Sequence, residues 1–312
     1  MNFSDQLIAA SKEKNSHVCV GLDPRIKRIP TKIFTALRKN FSDSQEVIKR
    51  AIISFNRDII DAVKAEAAVV KIQLAFYEIY GAAGFEAAKK TAEYAKSQGL
   101  AVIIDGKRND IGSTAKAYAQ AYLGGGEDKY TDLSDSVSAL TVNPYLGSDG
   151  IQPFIDVCKE GGKGSFVLVK TSNPSSGELQ DLKLESDDTV YETVAKLVAE
   201  WGKELIGEEG YSSLGAVVAA TYPEMIAQLR EIMKNNYFLV PGFGAQGGGA
   251  EDIVNAFNDD GLGAVINSSR GINFAYQKPE YSNDHKEAAN QAAKEMRYQI
   301  NQALEQADKL AW

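Results

Sequence analysis

The chain turns from an apolar run into a cluster of charges at Leu100-Ala101-Val102-Ile103-Ile104-Asp105-Gly106-Lys107-Arg108-Asn109-Asp110-Ile111-Gly112-Ser113-Thr114. Residues 100–104 are apolar and rich in β-branched side chains, which is typical of a strand buried on both faces of a parallel sheet. The pattern over residues 110–123 then predicts a helix. A buried strand, a charged turn and a helix in this order form one unit of a parallel α/β fold.

The same unit recurs along the chain. Apolar runs predict eight strands, and helical patterns lie between them. Eight alternating units favour an α/β fold of the (β/α)8 TIM-barrel type with a parallel eight-stranded core. A doubly wound open sheet is the alternative, but no G-x-G-x-x-G motif follows the first strand. The predicted strands are 17–22, 68–74, 100–104, 138–142, 165–170, 214–220, 237–240 and 263–266, and the predicted helices are 47–64, 76–98, 110–123, 151–159, 189–206, 223–234, 250–257 and 286–310.

We expect one catalytic barrel domain over residues 1–312, with an N-terminal helix and a C-terminal closing helix. Two polar stretches, 124–136 and 173–188, are predicted to be loops. The second stretch follows the fifth strand, so it would overhang the end of the barrel where active sites lie.

Composition narrows the classes of function. The 312 residues include 34 basic and 42 acidic side chains, a net charge of −8, and this charge disfavours nucleic acid as a partner. No apolar run is long enough for a membrane span, and the N-terminus lacks the pattern of a signal peptide. The two cysteines, Cys19 and Cys158, form no framework of disulfides, and His17 and His285 are too few for a histidine-rich metal site. These features predict a cytoplasmic protein.

Charged residues collect at the ends of three predicted strands. Asp105 and Lys107 are two apart and point to the same side of an extended strand. Lys71 interrupts the apolar second strand, where a buried lysine is costly unless it is paired. Asp23 ends the first strand, and Asp110 stands where the next helix should begin. The plain interpretation is a helix cap and a strand-end ion pair, but five charges of alternating sign at one rim favour a catalytic cluster.

A second set of residues follows the last two strands. Pro241-Gly242-Phe243-Gly244-Ala245-Gln246-Gly247-Gly248 is rich in glycine, and Arg270 follows the eighth strand. Barrels commonly bind phosphate at these two loops, because glycine lets backbone N–H groups approach an anion and arginine offers a fork of donors. Flexible turns and a surface arginine are the alternative, but the two features together predict a phosphate site.

With these residues in hand, the sequence resembles the orotidine 5′-phosphate decarboxylase family in its longer bacterial form. The run from Asp105 to Thr114 is similar to the family motif D-x-K-x-x-D-I-x-x-T, and the run from Pro241 to Gly248 is similar to P-G-[IV]-G-A-Q-G-G. Thr141-Val142-Asn143-Pro144-Tyr145-Leu146-Gly147 supports both. The resemblance covers nearly the whole chain. It implies decarboxylation of orotidine 5′-monophosphate to uridine 5′-monophosphate (UMP) and CO2 in pyrimidine nucleotide biosynthesis, with no cofactor and no metal.

The resemblance also implies roles for individual residues. Lys107 would protonate C6 of the pyrimidine, and some residues would come from a partner subunit, so the family implies a homodimer with shared active sites. Ser269 stands where the family often has glycine. The implied catalytic residues are Lys71, Asp105, Lys107 and Asp110; the implied substrate contacts are Asp23 and Thr114 on the ribose, Ser172 on the pyrimidine, Gln246 and Arg270 on the phosphate, and Pro241 in the phosphate loop; Asp110, Ile111 and Thr114 would reach the partner's site.

Two other functions fit parts of this pattern. A metal-dependent phosphosugar decarboxylase or aldolase on a similar barrel would keep the D-x-K-x-x-D motif, but it would carry an acid at the end of the second strand. Lys71 stands there instead, and a cation repels a metal ion. A non-catalytic binder of nucleotide phosphates is the second alternative, but binding alone does not need buried charges of alternating sign.

Overall fold

Eight parallel strands close into a ring in the computed structural model, which describes residues 1–124, 133–220, 223–243 and 249–312. Each strand pairs with the next one along the chain, and the first pairs with the last, with Val18 opposite Ile266. The predicted (β/α)8 barrel is therefore confirmed, and the open sheet is excluded. The strands are β1 (Val18–Leu22), β2 (Val69–Gln73), β3 (Ala101–Arg108), β4 (Ala139–Val142), β5 (Gly164–Lys170), β6 (Ser212–Val218), β7 (Asn236–Pro241) and β8 (Ala264–Ser268).

Helices surround this ring and alternate with the strands. Several of them begin at side-chain caps: Asp43 caps α3, and Thr189 forms a capping box with Glu192 at the start of α10. The α-helices of the described residues are α1 (Phe3–Lys14), α2 (Thr31–Arg38), α3 (Ser44–Val63), α4 (Ala75–Glu78), α5 (Gly81–Ser97), α6 (Gly112–Leu123), α7 (Leu133–Ser136), α8 (Ser148–Gly161), α9 (Gly177–Gln180), α10 (Val190–Trp201), α11 (Pro223–Ile232), α12 (Arg270–Asn273) and α13 (His285–Gln306).

Three predicted helices differ from the structure for identifiable reasons, and a fourth, expected over 189–206, ends at Trp201. The helix expected over 76–98 is broken into α4 and α5, because Gly81 adopts a φ of +56° and turns the chain between them. The helix expected over 250–257 is reduced to the 3-10 turn Val254–Ala256. There the Asp252 side chain accepts the N–H of Gly249, and Asn255 donates to the carbonyl of Pro223, so polar side chains compete with helix formation.

The third difference lies beside the charged residues. The helix expected from residue 110 begins at Gly112, and its N-cap position is occupied by Ile111, which makes no side-chain cap. Asp110 therefore does not cap α6, and the plain interpretation of this residue is wrong. Strand β3 runs four residues further than predicted, to Arg108, and residues 109–111 connect it to α6.

The structure departs from the loops predicted for the two polar stretches. Stretch 173–188 is not a plain loop, because it holds the 3-10 turn Pro174–Ser176 and helix α9. Residues 125–132 of the other stretch lie outside the described residues, and residues 133–136, also predicted to be loop, form helix α7.

Two hydrophobic cores leave one end of the barrel free for polar groups. The larger core lies between the strands and the surrounding helices. The smaller core fills the barrel interior, where Phe3 and Leu7 of α1 pack against inward side chains such as Phe166. The Phe3 and Phe166 rings meet edge to face, with centroids 5.9 Å apart. Helix α1 thus covers the end at which the strands begin, and the carboxyl ends of the strands remain for the site.

Cys19 and Cys158 are both buried, and they form no disulfide with each other. Within the described ranges, no helix combines the length and the apolar character that crossing a bilayer requires.

Candidate active site

The Asp105 carboxylate lies at the centre of the charged cluster and accepts four hydrogen bonds. Its Oδ1 accepts from Lys107 Nζ at 2.6 Å and from the hydroxyl of Thr141 at 2.8 Å. Its Oδ2 accepts from Lys71 Nζ at 2.9 Å and from the amide of Gln73 at 2.8 Å. Two hydrogen bonds accepted by each oxygen use the whole capacity of a carboxylate. Asp105 is therefore held rigidly in its ionised form.

Burial and pairing together fix the charges of this cluster. Burial by itself would raise the pKa of Asp105, but the charges of Lys71 and Lys107 outweigh it and hold that pKa well below its usual value. Burial likewise would lower the pKa of Lys71, but the charges of Asp105 and Asp23 outweigh it and raise that pKa above its usual value. Lys71, a residue that is only 5% exposed, thus keeps its charge beside the Asp105 carboxylate. Asp105 is therefore the partner that the sequence required for a buried Lys71.

Lys107 differs from Lys71 in exposure and in backbone shape. Its side chain is 44% exposed, although its ammonium contacts the buried Asp105. Its φ is +46°, in the left-handed region that few residues other than glycine adopt. The ammonium of Lys107 is thus paired with Asp105 and is also accessible to a ligand at the carboxyl ends of the strands.

Arg108 secures the chain directly after this unusual backbone. Its guanidinium forms an ion pair with Glu78 of α4 and donates to the hydroxyl of Tyr122 of α6 at 2.9 Å. Its carbonyl accepts the N–H of Asn143, which follows β4. The end of β3 is therefore anchored to three neighbouring elements.

Sequence reasoning missed two members of the cluster, Gln73 and Thr141. Gln73 is two residues after Lys71 in the same strand, so the period of two places both side chains on the same face. Thr141 was part of a motif that supported the family resemblance, but no contact was predicted for it. Its position opposite β3 depends on the register of β3 and β4, which a single sequence does not show.

The other acidic residues lie apart from the ion pairs. Among the described residues, the Asp110 carboxylate accepts only the N–H of Ile111, at 2.9 Å, and it pairs with neither lysine. Within its own chain, Asp110 therefore does not join the ion-paired cluster. Ile111 and Thr114 are exposed at the start of α6. Asp23 follows β1, and its charge acts on Lys71, while its buried Oδ1 has no hydrogen-bond partner in the described ranges.

The residues predicted to bind pyrimidine and phosphate follow other strands of the same rim. Ser172 is the second residue after β5 and is partly buried. Pro241 ends β7, and its Cα is opposite that of Asn267 on β8. Gln246 lies outside the described residues. Arg270 is exposed at the start of α12, two residues after β8.

Arg270 also borders a cavity of about 530 Å³ between α12 and α13. Arg28 and Lys278 line the same cavity, together with the acidic Glu280 and Glu295. The cavity therefore gathers three cationic side chains near the carboxyl end of β8.

Across 1–124, 133–220, 223–243 and 249–312, no three histidine, cysteine, aspartate or glutamate side chains come together as a candidate metal site. The Asp105 oxygens are already occupied by donors.

Comparisons with known proteins agree with this geometry. The model of the "Orotidine 5′-phosphate decarboxylase / HUMPS family" matches residues 16–284. The chain belongs to the orotidine 5′-phosphate decarboxylase family. A curated orotidine 5′-phosphate decarboxylase of Caldicellulosiruptor bescii is 45% identical over 309 residues, which cover 97% of this chain and 99% of the relative. One from Rhodopirellula baltica is 47% identical over 282 residues, covering 90% and 91%.

Solved structures of the orotidine 5′-phosphate decarboxylase family have the same fold. The OMP decarboxylase of Leishmania donovani is 31% identical with a TM-score of 0.75, and it covers 97% of this chain and 98% of its own. A protein described as a putative orotidine-monophosphate-decarboxylase from Toxoplasma gondii is 31% identical with a TM-score of 0.80, covering 98% of both chains. The family resemblance seen in the motifs is therefore confirmed.

Proposed function

We propose that this protein decarboxylates orotidine 5′-monophosphate to UMP and CO2 in pyrimidine nucleotide biosynthesis. Family membership and the names of relatives that span nearly the whole chain support this activity. The observation that carries the proposal is the Lys71–Asp105–Lys107 cluster, in which both lysines contact one buried carboxylate.

The cluster suits a reaction that leaves charge on carbon. When CO2 leaves C6 of the pyrimidine, the electron pair of the broken bond stays on C6, where no π system delocalises it. The Lys107 ammonium would stabilise that pair and then deliver a proton to C6, forming UMP. This attraction grows as the charge develops, so it lowers the barrier more than it strengthens substrate binding. The lysine performs the task that an electron-sink cofactor performs in other decarboxylases, so we propose that no cofactor is needed.

Asp105 contributes first by arranging the two lysines. Its oxygens hold Lys71 and Lys107 on opposite sides of one carboxylate. A substrate carboxylate placed beside it would also be repelled in the ground state, an effect that we rank below stabilisation of the carbanion.

Substrate recognition is proposed at the surrounding strand ends. Asp23 and Thr114 would contact the ribose, Ser172 the pyrimidine, and Arg270 with Gln246 and the Pro241 loop the phosphate. The phosphate lies far from the bond that breaks, so its binding energy can order the charged site.

The active form is proposed to be a homodimer. Asp110, Ile111 and Thr114 would enter the partner's active site, which agrees with the separation of Asp110 from the ion pairs of its own chain. Exposed apolar side chains near this rim, Ile111, Tyr145 and Leu146, support an interface there.

Replacement of Lys107 tests the mechanism. We expect Lys107→Ala to lose CO2 release by at least about 10³-fold while it folds and binds UMP, because the charge that stabilises C6 is gone. The measurement is the change in pyrimidine absorbance under saturating substrate. Lys116→Ala, which removes an exposed lysine from α6, is the matched control and should keep wild-type turnover. Near-normal CO2 release by Lys107→Ala would refute the assignment.

Treatment with a chelator tests the absence of a metal requirement. We expect full activity after exhaustive dialysis against EDTA, with no gain on adding Mg²⁺. Activity that disappears and returns with Mg²⁺ would favour the metal-dependent alternative.

A further inference from the structure

The buried hydroxyl of Thr141 joins two parts of Lys107. The backbone N–H of Lys107 donates to Thr141 Oγ1 at 2.9 Å, and Thr141 Oγ1 donates to Asp105 Oδ1 at 2.8 Å. Asp105 Oδ1 in turn accepts from Lys107 Nζ at 2.6 Å. Backbone nitrogen, hydroxyl, carboxylate and ammonium therefore form a closed loop of hydrogen bonds that begins and ends on one lysine.

The directions of these hydrogen bonds are fixed by chemistry. A backbone N–H only donates, and an ionised carboxylate only accepts, so the single hydroxyl proton of Thr141 must point to Asp105. Thr141 is 1% exposed, so water does not replace it. Removal of this hydroxyl would leave both the Lys107 N–H and one Asp105 lone pair without their partner.

The pairing of β3 with β4 explains why a side chain is needed here. Ile104 is opposite Leu140 and Arg108 is opposite Val142, so four steps along β3 match only two along β4. The extra residues form a bulge that interrupts the regular ladder. The Thr141 hydroxyl takes the place of the missing backbone acceptor at Lys107.

The backbone at the bulge is unfavourable by itself. Lys107 has a φ of +46°, and a lysine has no short side-chain polar group to support that conformation locally. Conformations of this kind persist only where the surroundings hold them, and they occur often at functional sites. Arg108 anchors the chain on one side, and Thr141 holds the N–H of Lys107 itself.

We propose that Thr141 is a positioning residue that sets the direction of the Lys107 ammonium through both the backbone and the carboxylate. This inference rests on the proposed function, in which Lys107 is the proton donor. Thr141 contacts no reacting atom in this scheme. Removal of its hydroxyl should therefore slow catalysis and leave nucleotide binding almost unchanged.

The test compares Thr141→Val, which keeps the shape and removes the hydroxyl, with Thr141→Ser, which keeps the hydroxyl. We expect Thr141→Val to lower kcat about 10²-fold, because a small misplacement of a reacting group has effects of this size. KM for orotidine 5′-monophosphate and the affinity for UMP should change less than about threefold, and Thr141→Ser should restore kcat to within about fivefold of wild type. The control is Ser165→Ala, which removes a buried hydroxyl that contacts Cys158 of α8 instead of the charged cluster, and its kcat should equal that of wild type.

The outcomes separate this inference from the proposed function. Wild-type protein that releases no CO2 from orotidine 5′-monophosphate would overturn the function itself. An active wild type with an equally active Thr141→Val, or a Thr141→Ser as slow as Thr141→Val, would overturn only the positioning role. If Thr141→Val does not fold, Thr141→Ala makes the same comparison. If no variant without the hydroxyl folds, Thr141 is a folding requirement and the positioning role is wrong.

Discussion

Individual buried residues show two ways of placing a titratable group in the interior. Lys71 and Asp105 keep their charges because each provides the other's partner. His17 instead is fully buried between the rings of Phe257 and Trp312, with centroids 4.6 and 4.7 Å away. Burial lowers the pKa of His17 to about 3, so it is neutral in the folded protein at ordinary pH.

His17 makes stability depend on pH. Its unfolded-state pKa is near 6.5 and its folded pKa is lower, so its contribution is fully present above pH 6.5 and is lost as the pH falls toward 3. Between pH 7 and pH 5 we expect wild type to lose about 2 kcal/mol more than His17→Leu, which cannot titrate. Urea unfolding of both proteins at the two pH values measures this difference. Parallel loss of stability in the two proteins would contradict it.

At the scale of elements, the segment after β5 is held by specific contacts rather than by a long helix. The Gln180 side chain of α9 accepts the N–H of Thr171 at 3.0 Å and donates to the Thr171 hydroxyl at 2.8 Å. Lys170, which is 2% exposed, forms an ion pair with Asp181. These contacts tie the two residues before Ser172, the proposed pyrimidine contact, to Gln180 and Asp181.

Gln180→Ala should loosen this segment. Loss of two hydrogen bonds, each worth about 1 kcal/mol, predicts a KM for orotidine 5′-monophosphate that rises about 5- to 30-fold, with little change in the midpoint of thermal unfolding. Steady-state kinetics and a thermal scan measure the two effects. Glu178→Ala, on the exposed side of the same short helix, is the control and should leave KM unchanged. An unchanged KM in Gln180→Ala would show that the segment does not depend on these contacts.

On the scale of the whole molecule, the barrel closes within one chain, but we propose that the site is shared between two subunits. Asp110 lies next to the cluster in sequence, yet it pairs with neither lysine of its own chain. Mixing two inactive variants, Lys107→Ala and Asp110→Ala, distinguishes a shared site from a self-contained one.

Dissociation and random reassembly of equal amounts should restore roughly a quarter of wild-type activity. Half of the dimers are then mixed, and each mixed dimer has one site with both residues intact. The measurement is turnover after reassembly, with each variant reassembled by itself as the control. No recovery, in a mixture shown to contain mixed dimers, would place Asp110 in the site of its own chain.

Much of this fold and site was predictable from local pattern. Strands of four to eight residues were located because a strand buried on both faces must be almost entirely apolar. Lys71 stood out because a charge inside such a run needs a partner. The prediction was weakest where helices depend on competing polar contacts, as at Asp252 and Asn255.

The sequence by itself determined the alternation of strands and helices, the barrel and the identity of the charged residues, because periodicity and the cost of burying charge are local properties. Only the tertiary structure decided that Gln73 and Thr141 donate to Asp105 and that Lys107 adopts a left-handed backbone. It also decided that Asp110 pairs with neither lysine of its own chain. These features arise from the register and the bulge between neighbouring strands. Residues far apart in the chain set that register together, so no local pattern encodes it.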